Sequence, residues 1–194
     1  MKSVTSWLER KLFLRVSATK TKVLRPTKSN FLGFMFWKSS NQDGWKCRPS
    51  KDRKTKLYDK IKKVLKRKQA VSRPLHITFT KVNQIVMGWI NYFRIVSMKS
   101  FLEEFGEWLR HKIRVIIIKQ WNKPRRIYTN LERLNRIFKC NFSEEEIFKV
   151  ANTRLGWYRR CGKNVVNYLL SPKVLAIKKE ERPGLVNPLE YYLK

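Results

Sequence analysis

Acidic residues are scarce in this sequence of 194 residues. It contains 14 Asp and Glu against 45 Lys and Arg, so the formal net charge is +31. Such an excess of one sign repels itself in a folded chain unless a polyanion supplies the opposite charge. Because 42% of the residues are hydrophobic and 13% are aromatic, the composition argues against a disordered basic tail. It predicts a folded protein that binds nucleic acid rather than an anionic lipid surface.

Aspartate is especially rare, and its positions bear on catalysis. The three aspartates are Asp43, Asp52 and Asp59; the first falls in a predicted turn and the others lie among lysines. Polymerases and nucleases hold Mg²⁺ with clustered carboxylates, and no such cluster is visible. The acidic run from 144 to 146 is typical of a helix N-terminus, and no Walker-type phosphate loop occurs. We therefore expect no catalytic residue, no metal site and no cofactor in this chain.

Cysteine, histidine and long apolar runs are scarce as well. Cys47, Cys140 and Cys161 form no CxxC pair, and His76 and His111 lie at no ligand spacing from them, which argues against a zinc site or a disulfide framework. The longest apolar run covers residues 31–37, far fewer than the roughly 20 of a membrane span. The first residues carry charges where a signal peptide is apolar. We expect no membrane partner, no secretion, and a location in the bacterial cytoplasm or in an organelle matrix or stroma.

The first 50 residues mix helical and extended patterns. A short helix is predicted over residues 6–13. The aromatic run 31–37 and residues 45–48 are predicted to pair as a β-hairpin, because Asp43 and Gly44 form a strong turn signal between them.

From about residue 51 the apolar period becomes helical. A first helix is predicted with the core stripe Leu57, Ile61, Val64 and Leu65. After Pro74, Thr80 is predicted to cap a second helix. Its apolar face comprises Val82, Ile85, Val86, Trp89, Ile90 and Phe93. The polar and small residues on its other side are Gly88, Asn91, Tyr92 and Arg94.

A long helix is predicted over residues 100–121. Ser100 and Glu103 form a capping-box pattern at its start, and Pro124 is expected to end it. Its core stripe comprises Phe105, Leu109, Ile113, Ile116 and Ile117. Two more capping boxes, Thr129 with Glu132 and Ser143 with Glu146, predict shorter helices. A last helix is predicted around residues 163–170, and the tail is expected to pack back through Leu185, Leu189 and Tyr191.

Three stretches, 51–73, 108–131 and 154–160, are rich in basic residues, and aromatic residues are interleaved among them. Unpaired RNA bases need stacking surfaces and phosphates need positive charge, so this pattern favours RNA binding over a merely solvated helix face. Arg110 and Arg114 are four residues apart and are predicted to share the exposed side of the long helix. The candidate RNA-binding residues are Lys62, Lys63, Lys66, Arg67, Arg94, Arg110, Arg114, Lys119, Arg125, Arg126, Arg154, Arg159 and Arg160.

Several segments, in one order along the chain, resemble the C-terminal part of a group II intron-encoded reverse transcriptase/maturase. They are "FLGF", "GWINYFRI", "RVIIIKQWNKPRRIYTNLERL", "ANTRLGWYRR" and "GLVNPLEYYLK". Lys20 and Thr21 match a stretch at the end of the family's palm, where Ser17 replaces the family's Asn. The residues that match its primer-grip turn are Phe31, Leu32, Gly33 and Phe34. Those that match its maturase-specific (X, or thumb) domain are Gly88, Trp89, Asn91, Tyr92 and Phe93.

The resemblance implies a mainly α fold in two parts. Residues 1–50 would be an α+β palm remnant with a β-hairpin, and residues 51–194 a helical, thumb-like maturase domain with a C-terminal extension. The implied function is binding of group II intron RNA, and possible contact with a template–primer duplex, to aid folding and splicing of the intron.

The family's catalytic Tyr-x-Asp-Asp motif does not occur in this sequence. Mg²⁺ is therefore expected only in the palm region that this chain lacks, and the chain alone is expected to be inactive as a polymerase. The alternative is one chain of a split RNA-directed DNA polymerase, active only with a separate chain that carries the fingers and the catalytic palm. A decayed gene product without function is a third possibility.

Overall fold

A computed structural model describes residues 2–17, 19–38, 44–178 and 182–194. The chain divides into two units, Met1–Ser50 and Lys51–Lys194. Helices make up most of its regular structure, and the strands form one three-stranded antiparallel sheet. The predicted mainly α fold with a β-hairpin is confirmed.

The first unit contains helix α1 (Lys2–Leu12), a 3-10 turn (Pro26–Lys28) and the sheet. Its strands are β1 (Asn30–Phe31), β2 (Phe34–Lys38) and β3 (Trp45–Pro49), paired in that order. None of the residues of α1 is buried.

The sequence predicted one strand over the aromatic run 31–37, and this prediction is wrong. The chain reverses at Leu32 and Gly33, whose φ angles are 52° and 89°, so that Phe31 faces Phe34 in the sheet. Positive φ at two successive turn residues belongs to a type I′ hairpin turn, and Gly33 adopts it without steric cost. The predicted pairing with residues 45–48 is confirmed, whereas Asp43 of the predicted turn lies outside the described residues.

The second unit is helical, and its core is formed around one long helix. The helices are α2 (Lys51–Val64), α3 (Arg67–Ser72), α4 (Leu75–Phe93), α5 (Lys99–Trp121), α6 (Pro124–Ile137), α7 (Glu144–Ala151), α8 (Trp157–Cys161), α9 (Asn164–Leu169), α10 (Pro172–Leu175) and α11 (Pro188–Leu193). Helix α5 contacts α3, α6, α8 and α11. All five residues of its predicted core stripe are buried, because neighbours surround it on several sides.

The core stripes of the two preceding helices are largely confirmed. On α2, Leu57 and Ile61 are buried, as is Leu65 just after it, while Val64 is half-buried. On α4, the buried members of the predicted face are Val82, Val86, Ile90 and Phe93. The two faces meet where α2 lies against α4.

Three predicted helix starts are wrong. Helix α4 begins at Leu75, so that Thr80 lies inside it and its hydroxyl donates to the His76 carbonyl at 3.0 Å. Helix α6 begins at Pro124, and Thr129 donates in the same way to the Arg125 carbonyl at 2.9 Å. A threonine hydroxyl can bond the carbonyl four residues earlier, so the capping pattern also fits a helix interior.

The third wrong start is that of α5, which begins at Lys99 without a side-chain cap. Met98 occupies the capping position and is 3% exposed. The helix therefore starts at a buried side chain and not at a capping hydroxyl of Ser100. Pro124 opens α6 instead of ending α5, which stops at Trp121 with Asn122 at φ 58°. The capping box of Ser143 and Glu146 on α7 is confirmed.

The predicted helix near 163–170 is α9, and the tail packs back as predicted. Leu185 is 4% exposed, whereas Leu189 and Tyr191 are half-buried. Helix α11 lies against α4 and α5. Among the described helices, none has both the length and the apolar character that crossing a bilayer requires.

Candidate nucleic-acid interface

Arg114 is a structural residue of the fold, not an exposed one. It is 8% exposed, and its guanidinium donates to the Leu170 carbonyl at 3.0 Å, to Asn167 Oδ1 at 2.5 Å and to the Asn167 carbonyl at 3.1 Å. Burial lowers the pKa of Arg114, and the charge of Arg110 lowers it further. The prediction that Arg114 shares an exposed face with Arg110 is wrong, because the chain around α9 covers that side of α5.

Arg160 is also buried, at 8% exposure. It donates from Nη2 to the Thr153 carbonyl, and its guanidinium carbon lies 5.0 Å from the centre of the Trp157 ring. Its Nε has no partner in the described part of the chain. These contacts tie α8 to the end of α7, so Arg160 is not an exposed RNA-binding residue as predicted.

The other predicted RNA-binding residues remain at the surface. Arg110 and Lys119 are half-buried on α5. The exposed ones are Lys62, Lys63, Lys66, Arg67, Arg94, Arg125, Arg126, Arg154 and Arg159. They lie on different elements, and the structure brings only some of them together.

One basic opening, hereafter the basic cleft, lies where α2, α3, α5 and α8 meet. It has a volume of about 240 Å³ and is lined by Lys62, Leu65, Arg67, Trp108, Lys112, Val115, Ile116 and Tyr158. It therefore brings the first predicted basic stretch together with residues of the other two. Lys62 also forms an exposed ion pair with Asp59 at 3.4 Å, a pair that contributes little to stability.

Two aromatic rings and a lysine define the inner part of the cleft. Lys112 Nζ lies 5.3 Å from the centre of the Tyr158 ring and 6.0 Å from that of Trp108. Trp108 is held from behind by Tyr58, with ring centres 4.7 Å apart. Tyr158 is 53% exposed. The arrangement offers an accessible ring beside a cation, which suits a stacked base and its phosphate.

His111 supports Tyr158 from inside the fold. Their ring centres are 4.1 Å apart, and His111 Nε2 is buried with no partner among the described residues. Burial lowers the pKa of His111, and the nearby charges of Arg114 and Lys112 lower it further, against the opposing effect of a hydrogen bond with the Tyr158 backbone. The imidazole is therefore predominantly neutral at pH 7.

A second opening, hereafter the Gly88 groove, lies between α2 and α4. It has a volume of about 360 Å³. Its lining residues are Arg53, Lys56, Leu57, Lys60, Gln84, Ile85, Gly88, Trp89, Tyr92 and Phe93.

The motif around Gly88 divides between the core and the surface. Gly88, Asn91, Tyr92 and Arg94 are all exposed, as the pattern of α4 predicted. Asn91 is nevertheless held by the tail, since the Tyr191 hydroxyl donates to its Oδ1 at 3.1 Å.

The segment that resembles a primer grip forms the turn between β1 and β2. Phe31 and Leu32 are 65% and 61% exposed, whereas Gly33 is buried and its carbonyl accepts a hydrogen bond from Ser50 N at 2.8 Å. Earlier in the chain, Lys20 N and Thr21 N both donate to the Ser17 carbonyl, at 3.2 and 2.9 Å. Ser17 thus anchors a local backbone turn.

No group of three or more His, Cys, Asp or Glu side chains that could hold a metal ion occurs among the described residues. Asp43, Glu180 and Glu181 fall outside the described ranges. What the described residues offer at the surface is positive charge and aromatic rings.

Trp108, Lys112 and Tyr158 lie in the predicted basic stretches but are not among the candidate RNA-binding residues chosen from the sequence. Trp108 and Lys112 are four residues apart on α5 and so share a face. Their spacing in the sequence would have allowed this pair to be predicted. The position of Tyr158 opposite them depends on how α8 packs against α5, which no local pattern indicates.

Residues 54–136 match the family model of the group II intron, maturase-specific domain. The match covers most of α2 and α6 and all of α3, α4 and α5. It includes every residue that lines the Gly88 groove except Arg53, and every residue that lines the basic cleft except Tyr158. This match supports a maturase domain in this part of the chain. No curated protein matches the chain.

Proposed function

We propose that this protein binds group II intron RNA as a maturase and assists the folding and splicing of the intron. The observation that carries the proposal is the basic cleft, seven of whose eight lining residues lie in the stretch that matches the maturase-specific domain. In this account the RNA performs the chemistry, and the protein stabilises its active fold.

The cleft has the two features that RNA binding requires. Lys62, Arg67 and Lys112 can neutralise phosphates, and the exposed ring of Tyr158 offers a stacking surface for an unpaired base,. The net charge of +31 strengthens the attraction at long range and makes it sensitive to salt.

A second candidate function is that of one chain in a split RNA-directed DNA polymerase. It is favoured by three apolar side chains of the first unit, Phe13, Val23 and Phe31, which are 89%, 77% and 65% exposed. A separate chain that covered these side chains would remove their apolar surface from water. In this account residues 1–50 are a palm remnant covered by a separate chain that carries the fingers and the Mg²⁺-binding palm, and the protein also contacts the template–primer duplex.

The test uses the full chain and a self-splicing group II intron RNA, with a structured non-intron RNA of equal length as control. We expect tighter binding to the intron RNA. We also expect faster splicing at a Mg²⁺ concentration at which the RNA alone splices poorly. Equal affinity for the two RNAs together with unchanged splicing would contradict the proposal. Primer extension, with and without a palm-bearing partner chain, tests the second candidate.

A further inference from the structure

Gly88 lies inside a helix where the fold itself does not require glycine. It is in the 19-residue helix α4 and is exposed. A Cβ added at Gly88 would meet no atom within 4 Å. Alanine is favoured over glycine in a helix interior, because glycine loses more backbone entropy on folding. None of the described residues fills the space beside Gly88, so packing within the fold does not account for the missing side chain.

Gly106 on α5, by contrast, is a position where packing within the fold leaves little room for a side chain. A Cβ at Gly106 would lie 2.9 Å from Arg110 Nη1 and 3.7 Å from Pro188 Cδ, so that neighbouring side chains fill the space. At Gly88 the corresponding space opens into the Gly88 groove.

The wall of the groove opposite α4 is basic. Lys56 and Lys60 are exposed and four residues apart on α2, so they lie on one face of that helix,. Both line the groove, and none of the described residues that line it is acidic. The adjacent basic charges favour an anionic occupant.

Trp89, next to Gly88, leaves a polar group unpaired at this place. Its Nε1 is buried and has no hydrogen-bond partner among the described residues. Its ring is fixed between Phe93 and Phe101, with ring centres 4.7 and 5.4 Å away. A buried donor without an acceptor costs stability, and none of the described residues supplies an acceptor to Trp89 Nε1.

We propose that the Gly88 groove holds the sugar–phosphate backbone of an RNA strand. The missing side chain at Gly88 lets the strand approach the backbone of α4 closely, and Lys56 and Lys60 neutralise successive phosphates from the other wall. This inference rests on the proposed function and extends it, since it assigns a second RNA-binding surface that shares no lining residue with the basic cleft.

The test is a size series at one position, Gly88→Ala and Gly88→Leu. Both residues favour the helix, and the Cβ of each meets open space, so the thermal unfolding temperature should rise by about 1–4 °C for Gly88→Ala. RNA affinity should fall with size, by about tenfold or more for Gly88→Leu. Asn164→Leu places the same side chain at an exposed position of α9, outside the groove and the three basic stretches, and should leave binding unchanged.

The probe is a fluorescently labelled RNA stem-loop, measured by anisotropy over a range of salt concentrations. Lys56→Ala combined with Lys60→Ala should weaken binding and reduce the salt slope by roughly 1.4–1.8. If Gly88→Leu binds the stem-loop with wild-type affinity, the groove does not hold RNA, while the proposed function still stands on the basic cleft. If the wild-type protein binds neither the stem-loop nor intron RNA, both fail.

Discussion

Asn83 ties helix α4 to the tail at Gly184. Its Nδ2 donates to the Gly184 carbonyl at 2.8 Å, and its Oδ1 accepts a hydrogen bond from Val186 N at 3.0 Å. Asn83 is 7% exposed. A Cβ at Gly184 would lie 2.2 Å from the Ala176 carbonyl oxygen, so the tail passes the end of α10 in close contact. One buried amide thus connects parts of the chain 101 and 103 residues apart.

Asn83→Ala should release the tail. The substitution removes two hydrogen bonds and leaves buried backbone groups unpaired, so we expect a loss of about 1–3 kcal/mol in the free energy of unfolding. Urea denaturation followed by circular dichroism measures it. Asn91→Ala is the matched control, because it removes an exposed bond to the same tail. Equal losses for the two variants would contradict the role of Asn83.

Arg114→Ala should destabilise the fold, because three acceptors on Asn167 and Leu170 would lose their donor. We expect a loss of about 2–4 kcal/mol. Arg110→Ala on the same helix is the control, since Arg110 is only half-buried. If Arg114→Ala were as stable as Arg110→Ala, the three hydrogen bonds would not stabilise the fold in solution.

Cys161 should be unreactive in the native protein. It is 0% exposed, and burial raises the pKa of its thiol from 9.0 to about 12, against the smaller opposing effects of Arg160 and Arg114. The shift lowers the thiolate fraction near pH 8 roughly a thousandfold, and the thiolate is the reactive form. Alkylation followed by mass spectrometry should label Cys47 and Cys140, which are half-buried, well before Cys161. Equal labelling rates at the three sites would be the contrary result.

The same shift gives Cys161 a defined effect on stability at high pH. The unfolded thiol ionises near pH 9, whereas the folded one stays protonated up to about pH 12. The contribution of the buried, protonated thiol to the free energy of unfolding is thus fully present below pH 9. It is lost as the pH rises from 9 to about 12. Cys161→Ala should flatten the decline of stability in this range.

His111 should make the protein sensitive to acid. Its pKa is lowered in the folded state from the ordinary value of 6.5, chiefly by burial. Below pH 6.5 the unfolded chain therefore takes up a proton that the folded protein resists, so stability is present above that pH and falls as the pH drops. The slope from this one group is at most about 1.4 kcal/mol per pH unit. Urea unfolding of wild type and His111→Phe at pH 7 and pH 5 measures the difference, and equal losses would exclude this effect.

Core residues were predictable from sequence where burial repeats with the helical period. Phe105, Leu109 and Ile113 follow that period on α5, and each is 0% exposed. The starts of α4 and α6 were not predictable, because Thr80 and Thr129 can satisfy their hydroxyls inside a helix as well as at its start,.

The site was predictable only in part, for a related reason. The basic stretch on α2 and the spacing of Trp108 and Lys112 are local, whereas the place of Tyr158 in the cleft depends on tertiary packing. Arg114 was wrongly predicted to be exposed, because its hydrogen-bond partners, Asn167 and Leu170, lie 53 and 56 residues away in the sequence. No pattern within α5 distinguishes an arginine that is covered from one that faces solvent.

The basic cleft as an RNA-binding site is the central claim, and a salt titration tests it most directly. Arg67→Ala combined with Lys112→Ala removes two cleft charges and should retain the circular dichroism spectrum of the wild type. The control, Lys163→Ala with Lys173→Ala, removes two exposed charges outside the cleft. For a group II intron RNA, we predict that the cleft variant binds more weakly and that its slope of log K against log salt falls by roughly 1.4–1.8 relative to wild type, while the control changes less. If the cleft variant and the control bound the RNA with the same affinity and slope, the account would be contradicted.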